Sequence, residues 1–168
     1  TIDTGAGPRR LELHVADGAV EAVTVDMGTA RVGRAVTLET AGETFTVIPV
    51  EVGNPHGVIF CEDPNAVELE RLGPALERHP ALGGRRNIEF AACLDREQLA
   101  LRVWERGSGI TLACGTGACA CFAAAMEENR CGTRVEAALP GGVLTLERRG
   151  ESLFMTGPAR TVFEGEVL

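Results

Sequence analysis

Lysine and tyrosine are absent from the 168 residues, so all 16 basic residues are arginine. Without lysine the chain cannot form a pyridoxal Schiff base, nor offer a Walker-type lysine to a phosphate. No apolar run approaches the ~20 residues of a membrane span. The first residue is Thr1, with no initiator methionine and no signal-peptide pattern after it, so a trimmed chain or a fragment is expected. Positive charge is scarce as well: 24 acidic residues stand against 16 basic ones, for a net charge of -8. Nucleic acid and anionic membranes both reward clustered positive charge, so neither is expected as a partner. Paired zinc-type cysteine spacings are also missing. Cys114, Cys119 and Cys121 fall as C-x4-C-x-C, and the last two would leave a helix on nearly opposite sides. Disulfide frameworks belong to short secreted chains. The six cysteines are therefore expected to be mostly reduced and buried, packed as small apolar residues, with no metal site.

What is present is a core-forming chain of 45% hydrophobic residues, one domain or two small lobes. "LELHVADGAVEAVTVDMG" reads as two alternating strands around Asp17-Gly18, and a second pair surrounds Ala41-Gly42. Further strands are expected in "GVIFC", "NIEFAACL", "QLALRVWE", "TRVEAAL", "GVLTLERR", "SLFMTG" and "RTVFEGEVL". Two stretches look helical. "NAVELERLGPALERHP" is interrupted by Gly73-Pro74, which predicts two short surface helices. "GTGACACFAAAMEENR" is apolar or small on all sides as far as Met126, the pattern of a buried helix. Strands surrounding one central helix are the expected arrangement.

Cys114 stands at the start of that helix. Free N–H groups and a partial positive charge there stabilise anions, a bound carboxylate or a thiolate. An effect of up to ~2 kcal/mol would bring a thiol from ~8.5 to near neutrality, where it can both give and take a proton. Gly115 and Gly117 are expected to leave room for a ligand beside the backbone. Glu105 suits a substrate ammonium and Arg106 a carboxylate. "GNPHG" adds Asn54 and His56, and "RRNIEF" adds Asn87 at the start of a strand. Each feature has a plain alternative: a helix cap, an exposed ion pair, a simple turn.

Together, "VDMG", "GNPH", "LGPALERHP", "RNIEF", "RVWERGSGITLACGTGACA", "LPGGVLTL" and "MTGPARTVFEG" occur in the order and approximate spacing of the diaminopimelate epimerases, which this chain resembles over nearly its whole length. The resemblance implies an α+β fold, a strongly curved, mostly antiparallel, barrel-like sheet wrapped around a central buried helix. It implies a cytoplasmic isomerase of lysine and peptidoglycan precursor biosynthesis. Such an enzyme interconverts LL- and meso-diaminopimelate without a cofactor, using one thiolate and one thiol. By the resemblance Cys114 is one of that pair. The backbones of Gly115 and Thr116 hold the α-carboxylate and Glu105 the α-amine. Asn54, Asn87 and Arg106 grip the distal end, and His56 lies near the thiols and helps set their charge. Ile110 and Gly57 depart from the family pattern, which commonly has an acidic residue and a cysteine or alanine there. The family's first lobe, with its Cys-Gly-Asn-Gly motif and second catalytic cysteine, has no counterpart here. Residues 1–22 are then strands of that missing lobe, 23–156 the second lobe, and 157–168 a tail returning toward the first. The expected partners are the small-molecule substrate, the missing lobe and, as an option, a second copy in a homodimer. The chain alone is expected to be inactive. A proline, hydroxyproline or histidine racemase, or a non-catalytic binding module of the same fold, are the alternatives.

Overall fold

The computed structural model describes residues 1–4 and 7–166. The chain opens with a small antiparallel ribbon, β1 (Ile2–Thr4) with β2 (Gly7–Arg9). β3 (Leu11–Ala16) and β4 (Ala19–Gly28) follow as a hairpin, turned by Asp17 and Gly18 at φ 50 and 79. Two positive φ angles in a row make the tight turn whose twist suits a hairpin. β5 (Arg31–Val32), β6 (Val36–Thr40), β7 (Glu43–Glu51) and β8 (Pro55–Phe60) come next. Ala41 and Gly42, at φ 52 and 80, turn β6 into β7 in the same way. Helix α1 (Leu69–Glu77) leads to β9 (Asn87–Cys93), β10 (Gln98–Glu105) and β11 (Gly109–Thr111). Helix α2 (Gly115–Glu127) precedes β12 (Arg134–Leu139), β13 (Gly142–Arg149) and β14 (Ser152–Pro158).

Twelve strands form one strongly curved sheet in the order β3-β4-β14-β13-β12-β10-β9-β8-β7-β5, with β11 on β10 and β6 on β7. Its pairings are antiparallel except β8 with β9 and β10 with β12. The sheet wraps α2, whose residues Gly117–Ala125 are all buried. α2 contacts β5, β7, β8, β9, β10, β13 and β14. Alanines let the strands approach from all sides, and Phe122 fills the middle. The helix stops at Asn129, which takes φ 57, while the N–H of Arg130 donates to the Ala125 carbonyl at 2.8 Å and that of Asn129 to Met126 at 2.9 Å. That pair of bonds satisfies the last carbonyls once the chain turns left-handed. No helix among the described residues is long and apolar enough to cross a membrane.

A second apolar cluster covers the other face of the sheet, where Leu69, Leu72 and Leu76 of α1 pack with Leu38, Val47, Ile59, Ile88 and Phe90. Here the structure departs from the sequence reading: α1 is one helix, with Pro74 inside it. Gly73 marks a close approach rather than a break, because a Cβ there would lie 2.4 Å from the Trp104 ring. The indole N–H donates to Glu77 Oε2 at 2.8 Å and fastens the helix end to β10. Residues 159–166 differ too. The Ala159 N–H donates to Glu21, but no strand among the described residues pairs with the stretch beyond it. Val162 and Phe163 are exposed, and the final two residues of "RTVFEGEVL" lie outside the described ones.

Candidate active site

Side chains on a strand alternate between its two faces. On β9, Ile88 and Phe90 join the outer cluster, while Ala91 faces α2. Asn87 and Glu89 share Ala91's face. On β8, Ile59 faces outward and Val58 inward, so His56 is on the inner face as well. On β10, Leu99 and Leu101 are inner residues, and Glu105 continues their series. Parallel pairing sets His56 beside Asn87, and antiparallel pairing sets Glu89 beside Val103. Four polar side chains therefore gather at one end of the inner face, around the start of α2.

Cys114 caps that helix. It has extended backbone, φ -143 and ψ 105, and its Sγ accepts the Gly117 N–H at 3.4 Å. Thr116 Oγ1 lies 3.6 Å from the same sulfur. The N–H groups of Gly115 and Thr116 have no acceptor within the helix. Glu105 Oε1 accepts from the Thr111 hydroxyl at 2.5 Å, and Asn87 Oδ1 accepts the Arg106 N–H at 2.8 Å. The Arg106 guanidinium donates to the Arg85 carbonyl at 3.3 Å. His56 is fully buried, with Nδ1 2.7 Å from Glu89 Oε1 and Nε2 2.9 Å from Asn54 Oδ1.

Residues 48–162 match the sequence profile of the family "Diaminopimelate epimerase". The chain belongs to that family. It is 42% identical over 182 residues to a diaminopimelate epimerase of Phocaeicola vulgatus, covering 99% of this chain and 65% of the relative. To one of Nostoc punctiforme it is 48% identical over 134 residues, covering 79% of this chain and 48% of the relative. The chain thus spans less than two thirds of the length of these relatives. A hydroxyproline epimerase from Agrobacterium vitis shares the fold with a TM-score of 0.74 at 18% identity, over 92% of this chain and 55% of that one. A phenazine biosynthesis protein of the PhzF family from Bacillus anthracis does so with a TM-score of 0.64 at 13% identity, over 98% of this chain and 66% of that one.

Within this member of the diaminopimelate epimerase family, the eight residues picked out in the sequence fall into linked groups. Asn54 bonds His56, Asn87 bonds the backbone of Arg106, and Cys114, Gly115 and Thr116 open α2. Glu105 is close enough to Cys114 to act on its ionisation. His56 makes its hydrogen bonds to Glu89 and Asn54, and Glu89 in turn acts on the ionisation of Cys114. Glu89 has 0% exposure, and both its Oε1 and Cys114 Sγ lie beside Gly117, 2.8 and 3.2 Å from where a Cβ would be. Sequence reasoning passed over it, because in "NIEFAA" it looks like the solvent-facing position of a half-buried strand. Thr111, which holds Glu105, carried no signal either.

Two further expectations change. The glycines of α2's first turn make room for protein atoms: a Cβ at Gly115 would meet Met155 at 2.9 Å, and one at Gly117 would meet Glu89. Gly57, the departure from the family pattern, is likewise closed in, with Val47 2.9 Å and Ile88 3.1 Å from a Cβ there. The Cys114 thiol also moves opposite to the sequence expectation. Burial pushes its pKa up, the Thr116 and Gly117 hydrogen bonds pull it down, and the Glu89 and Glu105 carboxylates push it up again. At 8% exposure, lost solvation is the largest of these effects. Alkylation of Cys114 followed by peptide mass spectrometry should therefore show its pH inflection above the ~8.5 of a free thiol; an inflection near neutrality would contradict this.

Burial raises the pKa of the other five cysteines as well. Burial pushes Cys119 up to about 12 and Cys121 well above the ordinary thiol range. Cys131 is pushed up to about 11, and Cys61 and Cys93 also rise. Among the described residues no group of three or more histidine, cysteine or acidic side chains is placed to hold a metal ion.

Proposed function

We propose that this chain supplies one half of a cofactor-independent epimerase that interconverts LL- and meso-diaminopimelate, with Cys114 as one of two acid/base cysteines. The observation that carries the reading is the gathering of Cys114, Glu105 and Asn87 at one end of the sheet's inner face, by the first turn of a buried helix whose leading N–H groups have no acceptor within the helix. Inverting a carbon by proton transfer needs a base on one face and an acid on the other. Cys114 is one member of that pair, and the two cysteines exchange the roles of thiol and thiolate with the direction of reaction. The Gly115 and Thr116 N–H groups hold the substrate α-carboxylate where charge builds up in the carbanion. Glu105 takes the α-ammonium. Asn54, Asn87 and Arg106 recognise the distal amino-carboxylate end, and His56 acts on the site through Asn54.

The second cysteine comes from a lobe that packs over this face, since Cys61 and Cys93 lack a glycine turn beside them and Cys119, Cys121 and Cys131 are buried. Leu112, 68% exposed, and Ile110, 38% exposed, lie on the segment leading to Cys114 and are apolar surface for such a lobe to cover. In this reading residues 1–22 belong with that lobe, 23–156 form the body of this one and 157–168 return toward the first, with 5–6 and 167–168 outside the described residues. The work belongs to the synthesis of lysine and peptidoglycan precursors. Epimerisation by the chain alone and by the chain combined with the complementary lobe is the test: turnover only in the combination supports the reading, and full turnover by the chain alone overturns the need for a second lobe.

Substrate choice is tested separately. Arg106→Ala should raise KM for diaminopimelate about 10–100-fold with kcat little changed, as expected for loss of a charge-assisted contact made equally in ground and transition states. Proline or hydroxyproline as the better substrate in a panel would replace this reading with the racemase alternative.

A further inference from the structure

Glu89 is the least accounted-for group in the molecule. β9 is covered on both faces, and Glu89 Oε2 is the one buried side-chain polar atom without a partner among the described residues. Oε1 lies 2.7 Å from His56 Nδ1, and His56 Nε2 lies 2.9 Å from Asn54 Oδ1. The titratable groups acting on this carboxyl are His56 from β8, Glu105 from the end of β10, and Cys114 and Cys121 from α2. No arginine bonds it among the described residues.

An amide oxygen only accepts, so the Asn54 contact places a proton on His56 Nε2. Nδ1 then has two options. It can carry a second proton, which makes an imidazolium facing a carboxylate. It can instead be bare and accept a proton from a neutral carboxylic acid. The ionic form strands two charges in a dry interior, with one carboxylate oxygen unpaired and a second carboxylate nearby. Buried ion pairs recover their desolvation cost only when the remaining lone pairs are satisfied, and here one oxygen is not. The neutral form leaves only a carbonyl-like oxygen bare, a far smaller loss.

We propose that Glu89 is a positioning residue, a neutral carboxylic acid whose Oε1–H donates to His56 Nδ1 and fixes His56 as the neutral Nε2–H tautomer, which donates in turn to Asn54 Oδ1. Every hydrogen bond in the chain runs from Glu89 toward Asn54. Held by its oxygen, Asn54 keeps its amide nitrogen for a ligand, as a donor suited to a carboxylate. The inference rests on the proposed function only for what that donor is meant to hold.

The test is a two-bond proton–nitrogen spectrum of the His56 ring, with the Glu89 side-chain carboxyl carbon shift, in the labelled 168-residue chain at neutral pH. The expected result is Nε2 protonated and Nδ1 bare, by roughly tenfold over the other tautomer, with Glu89 in the carboxylic-acid range. An imidazolium, an Nδ1–H tautomer or a carboxylate shift would overturn it. Glu89→Leu, which keeps bulk and removes the donor, should abolish the tautomer preference; an unchanged preference would overturn the positioning role. If that variant does not fold, the unmodified chain decides alone. Neither signal reads turnover, so a chain with this tautomer that supports no epimerisation would sink the function and spare the inference.

Discussion

Cys114→Ser, in the epimerase assembled from this chain and its complementary lobe, is expected to lower kcat about 10²–10⁴-fold. The same change should leave the unfolding midpoint nearly in place. Two roles meet at this atom. As a cap, Sγ accepts the Gly117 N–H, and serine is among the best residues for that task. In the proposed function the sulfur also passes a proton to and from carbon, and a serine hydroxyl ionises far too weakly to share that work. Serine therefore separates them: the helix keeps its start while the chemistry goes. Cys114→Ala removes both, and should cost a further ~0.5–2 kcal/mol of stability. Comparable thermal midpoints for the parent and the serine variant, beside a collapsed rate, are the expected pair of measurements.

Phe122→Ala should destabilise the chain by about 3–5 kcal/mol in denaturant unfolding. Phe122 is fully buried on a helix whose other interior residues are mostly alanine, so its own helix has no side chain long enough to fill the space it leaves. With total stability for a domain of this size at roughly 5–15 kcal/mol, that loss threatens the fold itself. Leu13→Ala, on an exposed position of β3, is the comparison and should stay within about 0.5 kcal/mol. Equal effects at the two positions would mean that α2 is not the centre of the core.

The central helix was legible because burial on every side leaves its mark on composition, and "GTGACACFAAA" has no polar face. The Asp17-Gly18 and Ala41-Gly42 hairpins were legible because tight turns require the positive φ angles found there. Gly73-Pro74 misled, since its meaning lies in a Trp104 ring that arrives from β10, far along the chain. The parallel pairings of β8 with β9 and β10 with β12 leave no local trace. Of the site, the cap, the acids and the amides stood out as residue types in unusual surroundings. Glu89 did not, because alternation signals a solvent face only when one side of a strand is covered, and β9 is covered on both. The ionisation of Cys114 is hidden from the sequence for a related reason: the helix terminus is visible there, whereas the burial that raises the thiol depends on how the curved sheet wraps the helix.

The central claim is that Cys114 passes a proton to and from the substrate α-carbon. Its most direct measurement is deuterium incorporation at that carbon of LL-diaminopimelate in heavy water, using the assembled two-lobe enzyme with and without Cys114→Ser. The expected result is solvent deuterium at the inverted carbon with the parent chain, and loss of that inversion with the variant. Undiminished inversion and labelling in the Cys114→Ser enzyme would contradict it.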